Sequence, residues 1–358
     1  MTASSRPPGT VDSAAPQAGV ALFDAALASF DRAVKRIGVV ERRLRIAGDV
    51  VRLVFAGPAL VASVARALRP REIPADGPGP SADLEVCIYD SASTGIGPPP
   101  IPSGPAGDAG IRGYLRPEIP SLNLHDPARG RAVHWVAGPH RVPAWDAAAP
   151  LRPILQWRAE ERGAVLAHAA AVGRPGAGVL LVGKGGSGKS TAALACGLRS
   201  SLLLAGDDYV LVEPGADGAP PRAHALYATA KLGDDSLARF PELSREDASA
   251  GPRDPATGKR TVFLDEVIPE RLAPEIPVRA ILLPRVTDGA RVRAVPASPG
   301  HALLTLAPST IFQCLEARAD LALRTMRALV ASVPCLALEV GADADLAAIP
   351  AAVEDVLS

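Results

Sequence analysis

Gly183 to Thr191 reads GKGGSGKST and follows the apolar run GVLLV directly. The spacing G-x-x-x-x-G-K-S, at Gly183, Gly188, Lys189 and Ser190, is that of a phosphate-gripping loop. A chain of this length meets the pattern by chance on the order of one time in a hundred. Its setting is the one the pattern needs, an apolar strand before it and the helix-forming run TAALACGL after it. Glycines at Gly183, Gly185, Gly186 and Gly188 let the backbone curl so that successive N–H groups face one centre with no Cβ in the way. A helix starting near Lys189 adds its positive end. Lys189 is expected to reach the outer phosphates of ATP, and the Ser190 hydroxyl to take one Mg²⁺ position, with Ser187 and Thr191 completing the cradle. Lys184 reads as solvent-facing. With Lys189 also taken as a loop residue, Lys189→Ala is expected to cost under about 1 kcal/mol of stability.

Two acids come next, in AGDDY. Asp207 lies 18 residues after Lys189 (207 − 189). Only one short helix and one strand fit that interval, so the strand SLLLAG is expected to pair beside the loop's own strand and deliver both acids to the phosphate end. Neighbouring residues at a strand end point to different sides. One of them is therefore expected to bind Mg²⁺ through water, with Ser190, and the other to face the acceptor hydroxyl and take its proton. The competing reading of AGDDY is a plain turn; its distance behind the loop favours chemistry.

The elements that must hold these residues follow from apolar periodicity. VALFDAALASFDRAVKRIG has helical spacing. RRLRIAG and DVVRLVFAG read as strands, PALVASVARAL as a helix opened by Pro58, and DLEVCIYDSAS as a strand. TGIGPPPIPSGPAGDAG is a loop. SLNLHD and AVHWVAG are further strands, and ILQWRAEERGA is a helix. Beyond a boundary placed near residues 145–155, strand and helix alternate. VLAHAAAV, GVLLV, SLLLAGDD, YVLVE, RTVFLDEV, RAILLPRV and PCLALEVG are strands; AHALYATAK is strand or loop. DDSLARF is a short helix and ADLAAIPAAVEDVL a closing one, with one or two helices from Pro308 and Ser309 through residue 333. This is α/β bookkeeping.

Composition narrows the function classes. The chain has 358 residues, 48% of them apolar, with Lys plus Arg and Asp plus Glu balanced at 38 each. A chain with no net field does not draw in nucleic acid or anionic membrane, and an aromatic content of 4% offers no platform for stacking bases. No apolar run reaches membrane-spanning length. Residues 1–18 read as a disordered tail without an apolar signal core, which suits a cytoplasmic protein. Cys87, Cys196, Cys314 and Cys335 have no metal-ligand spacing and read as small buried apolar residues in a reduced compartment.

His168 in VLAHAAAV, the loop Gly183–Ser190 and the acids Asp207 and Asp208 together resemble the kinase domain of the HPr kinase/phosphorylase family. His168 precedes Lys189 by 21 residues (189 − 168), close to that family's spacing. The resemblance spans about residues 150 to 290. It implies catalytic roles for Asp207, Asp208, His168 and Lys189, with Asp207 first as the base toward the acceptor hydroxyl and Asp208 second, Asp208 then supporting the metal, and a P-loop kinase domain of HPr kinase/PEP carboxykinase-like type over 149–358. A smaller α+β domain, for substrate or partner, would occupy 19–148. Longer stretches (VRLVFAGPAL, APLRPIL, LYATAKL, and LLPR with LAPST) resemble HPr-kinase-like proteins found with peptide-modification gene clusters, including lasso-peptide clusters. The implied activity is ATP- and Mg²⁺-dependent transfer of the γ-phosphate to a serine or threonine of a peptide or small protein. Self-association is left open. The family's Glu-bearing stretch after the acids has no counterpart: HALYATAKLGDD holds no Glu, and Lys231 stands there instead. Lys259, Arg260, Arg271 and Arg285 are candidates to steady the moving phosphate, while Tyr227 and Thr229 read as ordinary strand residues. Two other readings share the loop, a nucleotide-binding regulator with little transfer activity and a small-molecule kinase.

Overall fold

The computed structural model describes residues 16–74, 81–101, 107–108, 110–216, 218–243, 250–311 and 318–358. The expected tail therefore lies outside the described residues, except for 16–18, whose backbone falls in the opening turns of the first helix. Cys314 also lies outside them.

Helix α1 (Pro16–Ile37) buries Phe23, Ala26, Phe30 and Ala33, a spacing that places them on one stripe. It ends at Gly38, whose φ of 83° only glycine adopts without strain. Strands β1 (Val39–Ile46) and β2 (Asp49–Ala56) form a hairpin; α2 (Val61–Ala65), β3 (Leu84–Asp90) and α3 (Ser91–Thr94) follow. Strands β4 (Arg112–Arg116), β5 (Ser121–Asp126) and β6 (Arg131–Val136) complete a six-stranded sheet in the order β1-β2-β3-β6-β5-β4. Alternation along β2 and β3 gives the sheet two apolar faces. Val54, Ala56, Cys87 and Tyr89 meet α1. Val51, Leu53, Phe55, Val86 and Ile88 share a core with Trp157 and with residues from far down the chain, Leu166, Tyr209, Leu211, Tyr227 and Phe263.

Helices α4 (Ala144–Ala148) and α5 (Arg152–Glu161) lead to the second sheet. The chain then runs β7 (Val165–Ala167), β8 (Ala169–Arg174), β9 (Ala177–Val182), α6 (Lys189–Arg199), β10 (Leu203–Gly206), β11 (Val210–Glu213), β12 (Arg222–Ala225) and β13 (Thr229–Leu232). It continues through α7 (Asp234–Ala238), β14 (Ala250–Arg253), β15 (Arg260–Phe263), β16 (Glu275–Thr287), β17 (Val292–Pro296), α8 (Pro299–Ile311), α9 (Ala319–Ser332), β18 (Cys335–Gly341) and α10 (Ala348–Val356). The strand path is β10-β8-β9-β16-β12-β11-β7, with β18 beside β16 and β17 beside β18. Strands β9, β16 and β18 are mutually parallel. Val179 and Leu181 face α6 and α10, while Leu180 and Val182 face α8 and α9. This central sheet is covered by helices on both faces, a mixed α/β architecture. Strands β13, β15 and β14 form a small separate sheet.

Three expectations change. Strand β10 does not pair with the loop strand β9. It pairs with β8, which lies between them because β8 and β9 form a hairpin turned at Gly176, where φ is 85°. VLAHAAAV is two strands rather than one, broken at His168. Helix α8 begins at Pro299, and Pro308 sits inside it rather than opening the next helix. Strands β4 and β17 were not foreseen; short polar strands beside Pro/Gly-rich segments carry little alternation to read.

Candidate phosphate-transfer site

Strand β9 runs buried between β8 and β16, so the turn after Val182 is held at a fixed place on the sheet edge. The turn is tight. Ser187 N–H donates to Lys184 O at 3.1 Å, and Gly186 and Gly188 have φ of 81° and 91°. A Cβ on Gly183 would fall on Ser187 Oγ, so that glycine answers to close approach. Gly188 caps α6, and Ala192 N–H closes the first helical turn on Gly188 O at 2.8 Å. Lys184, Gly185 and Gly186 are exposed, and Ser187, Ser190 and Thr191 are half-buried. The Ser187 hydroxyl oxygen is buried without a hydrogen-bond partner.

Lys189 departs from its expected place. It is only 6% exposed, and its ammonium donates to the backbone oxygen of Asp207 at 2.8 Å. The side chain is folded down under the loop, tying α6 to the chain that carries the acids. The expectation that Lys189→Ala would behave as a loop change is overturned by this burial.

A seam in the sheet brings the acids and His168 together. At His168 the chain passes from β7, paired with β11, to β8, paired with β10. At 207–209 it passes back from β10 to β11. The two crossings lie side by side, framed by the pairs Gly206↔Ala171 and Val210↔Ala167. No ladder runs through the seam, so side chains there are free to turn toward the loop.

Asp207 and Asp208 have different partners. Asp207 is 1% exposed, and neither carboxylate oxygen has a hydrogen-bond partner of good geometry, although the Ser190 hydroxyl lies close enough to favour its charged form. Burial pushes the Asp207 carboxyl up, with Asp208 adding to it, against the pull of Lys189. Asp208 is held by other groups. His168 Nε2 lies 2.9 Å from one of its oxygens and Lys231 Nζ 3.0 Å from the other. Burial would raise the Asp208 carboxyl, but the His168 hydrogen bond, then Lys231 and Lys189, hold it far below the usual carboxylate range. Asp208, His168 and Lys231 each keep about a fifth of their side-chain surface open to solvent.

Lys231, on β13, thus reaches Asp208 from the stretch that lacks the Glu of the family it resembles. Arg260 pairs with Leu232, one position along from Lys231 and Thr261, and acts on Asp234, and Lys259 is exposed at the Asp254 turn, so the structure does not bring this pair to the acids. Arg285 is paired with Glu339 and Arg271 lies against Glu270 and Ser201 O, so neither joins the cluster. Tyr227 and Thr229 fasten the strand region to the α4–α5 link, donating to Pro150 O at 2.9 Å and Ala148 O at 2.7 Å.

Sequence reasoning missed two residues. The Tyr209 ring lies 5.7 Å from the His168 ring and 5.4 Å from Lys231 Nζ. Arg152 donates to the Tyr209 hydroxyl at 2.9 Å. The available signal was position alone, an aromatic directly behind the acids in a chain poor in aromatics.

Among the described residues no three His, Cys, Asp or Glu side chains gather as a metal cluster, and no helix is long and apolar enough to cross a membrane. Cys87, Cys196 and Cys335 are free and buried, as expected.

No protein-family model matches the chain. No curated protein matches it either. Among solved structures it is similar to the Hpr(Ser) kinase/phosphatase from Coxiella burnetii, at 10% identity and a TM-score of 0.26, over 53% of this chain and 92% of that one. At those values the functional reading stands on the site's own geometry.

Proposed function

We propose that the chain is an ATP- and Mg²⁺-dependent kinase that transfers the γ-phosphate to a serine or threonine hydroxyl of a peptide or small protein. One observation carries the reading: a glycine loop at a helix N-terminus is tied through Lys189 to a backbone bearing two carboxylates, one enclosed without a hydrogen-bond partner and the other held by His168 and Lys231. The orphaned polar atoms fit the missing groups. A buried carboxylate without a hydrogen-bond partner, beside a serine hydroxyl, is the chemistry a divalent cation satisfies, and the loop amides and α6 terminus suit phosphate oxygens. When bound, Mg²⁺ supplies neutralisation of charge on the phosphates. Ser190 and Asp207 would hold it.

The roles of the two acids are accordingly exchanged relative to the sequence expectation. Asp207 is too enclosed to meet an incoming hydroxyl, whereas Asp208 is open on one side. The acceptor hydroxyl gives its proton to Asp208 while its oxygen takes the phosphoryl group and ADP leaves. The low affinity of Asp208 for protons keeps it charged at neutral pH, and a loose phosphoryl-transfer transition state asks little of the base. His168 and Lys231 orient that carboxylate and, once it is protonated, Lys231 keeps positive charge near the transferred group.

A regulator without transfer activity is the second reading. It is favoured by the engagement of Asp208 with two cations and of Lys189 with Asp207 O. Incubation with γ-labelled ATP, Mg²⁺ and serine-containing peptides separates them. Label on peptide, with kcat reduced about 10²–10⁴-fold in Asp208→Asn, supports the kinase. ATP binding with no transfer to any acceptor supports the regulator, and absence of Mg·ATP binding defeats both.

A further inference from the structure

Tyr209 stands outside the roles assigned so far, yet its ring lies against both groups that hold Asp208. The His168 ring is tilted 33° against it at 5.7 Å, and Lys231 Nζ sits 5.4 Å from its centroid. These are the two groups that bracket the oxygens of Asp208. The ring is held from behind. Arg152 donates to its hydroxyl at 2.9 Å with the guanidinium 5.4 Å from the centroid, and Tyr227 meets it edge-on at 6.4 Å. Tyr227 is fixed in turn to Pro150 O, two residues from Arg152. His168 and Lys231 come from elements that share no ladder, a strand break and the small sheet. Without a shared surface, neither element dictates where the other's side chain lies. The Tyr209 ring supplies that surface, since an aromatic face favours the Lys231 ammonium within about 6 Å and pairs with the His168 ring.

We infer that Tyr209 is a positioning residue, a plate braced by Arg152 that keeps His168 and Lys231 on the two oxygens of Asp208. The inference rests on the reading of Asp208 as the acceptor-side group, and its test is arranged so that the two can fail separately. A core aromatic that merely fills space would be replaceable by leucine without displacing either cation.

Crystal structures of the wild type and Tyr209→Leu decide the geometric claim. In the variant the His168–Asp208 and Lys231–Asp208 contacts are expected to open; retention of both overturns the inference. Kinetics give the second arm, with Mg·ATP as substrate and ADP release as readout. Tyr209→Leu should lower kcat about 10–100-fold, the cost of misplacing a reacting group by about 1 Å. KM for ATP should stay within about twofold, since the loop is untouched. Tyr209→Phe keeps the plate and should restore kcat to within about threefold of wild type. If Phe is as impaired as Leu, or Leu is not impaired, the plate is not what matters and the inference falls. Should Tyr209→Leu fail to fold, Tyr209→Phe and Arg152→Met carry the same measurements, and an unmoved Asp208 cluster with unchanged kcat in Arg152→Met removes the brace. A wild type that binds no Mg·ATP sinks the proposed function, while the pair of structures still decides the positioning.

Discussion

Lys189→Ala tests the site from beneath. The wild-type ammonium makes a buried 2.8 Å bond to Asp207 O and is the largest influence drawing the Asp207 carboxyl down. A hydrogen bond from a charged group contributes about 1.5–3 kcal/mol, so the variant should lose about that much at least, not the small cost of an exposed loop change. The pH dependence isolates the carboxyl. The folded-state pKa of Asp207 is raised above its unfolded value, so the folded state holds more protons between the two, and the stability Asp207 contributes at low pH is lost as pH rises through the folded value. Removing Lys189 raises that value further and extends the loss toward neutrality. Asp208 does not interfere: its folded value is depressed, so its contribution is lost only on acidification below the unfolded carboxylate range. Urea titrations at pH 5 and pH 7 should therefore give a larger ΔΔG at pH 7, by up to about 1.4 kcal/mol for each pH unit over which Asp207 titrates. In an Asp207→Asn background the pH term should vanish, leaving a coupling of about 0.5–3 kcal/mol in the cycle. Equal costs at both pH values and in both backgrounds would refute the claim that Lys189 answers to the buried carboxyl.

Gly183→Ala puts a Cβ on Ser187 Oγ and should distort the loop, weakening Mg·ATP binding about tenfold or more in a fluorescent-nucleotide titration while leaving the fold intact by circular dichroism. Burial pushes the Cys87 and Cys196 thiols up to about 12, so iodoacetamide at pH 8 should leave both unmodified in the native protein and label both after denaturation, as read by peptide mass spectrometry.

The loop was legible because its requirements are local. Strand, glycines, lysine and helix lie in one continuous stretch, and the structure places Gly188 at the cap and Lys189 at the first helical position as the spacing demands. The two faces of β2 and β3 were legible for the same reason, through alternation. What could not be read was long-range. Whether Lys189 lies in water or under the loop depends on where the chain 18 residues later returns, and Tyr209 meets Arg152 across 57 residues. Strand order is of this kind too. SLLLAG carries apolar residues fit for any neighbour, and only the β8–β9 hairpin excludes it from the side of β9.

That misplaced strand is also why the acids diverge. Had β10 continued in a single ladder beside β9, the Asp207 carbonyl would have been taken up by the neighbouring strand. Instead the path of the large sheet has two ends, β10 and β7, and the chain stitches them through two adjacent crossings, at 168 and at 207–209. Ladder hydrogen bonds end there, so the backbone of Asp207 offers its carbonyl to Lys189 rather than to a neighbouring strand. This anchors one acid under the loop and leaves the next to turn across the seam to His168. Closing the seam is thus the step by which a strand-end sequence of two acids becomes two chemically distinct carboxylates, one enclosed and reluctant to ionise, the other held charged.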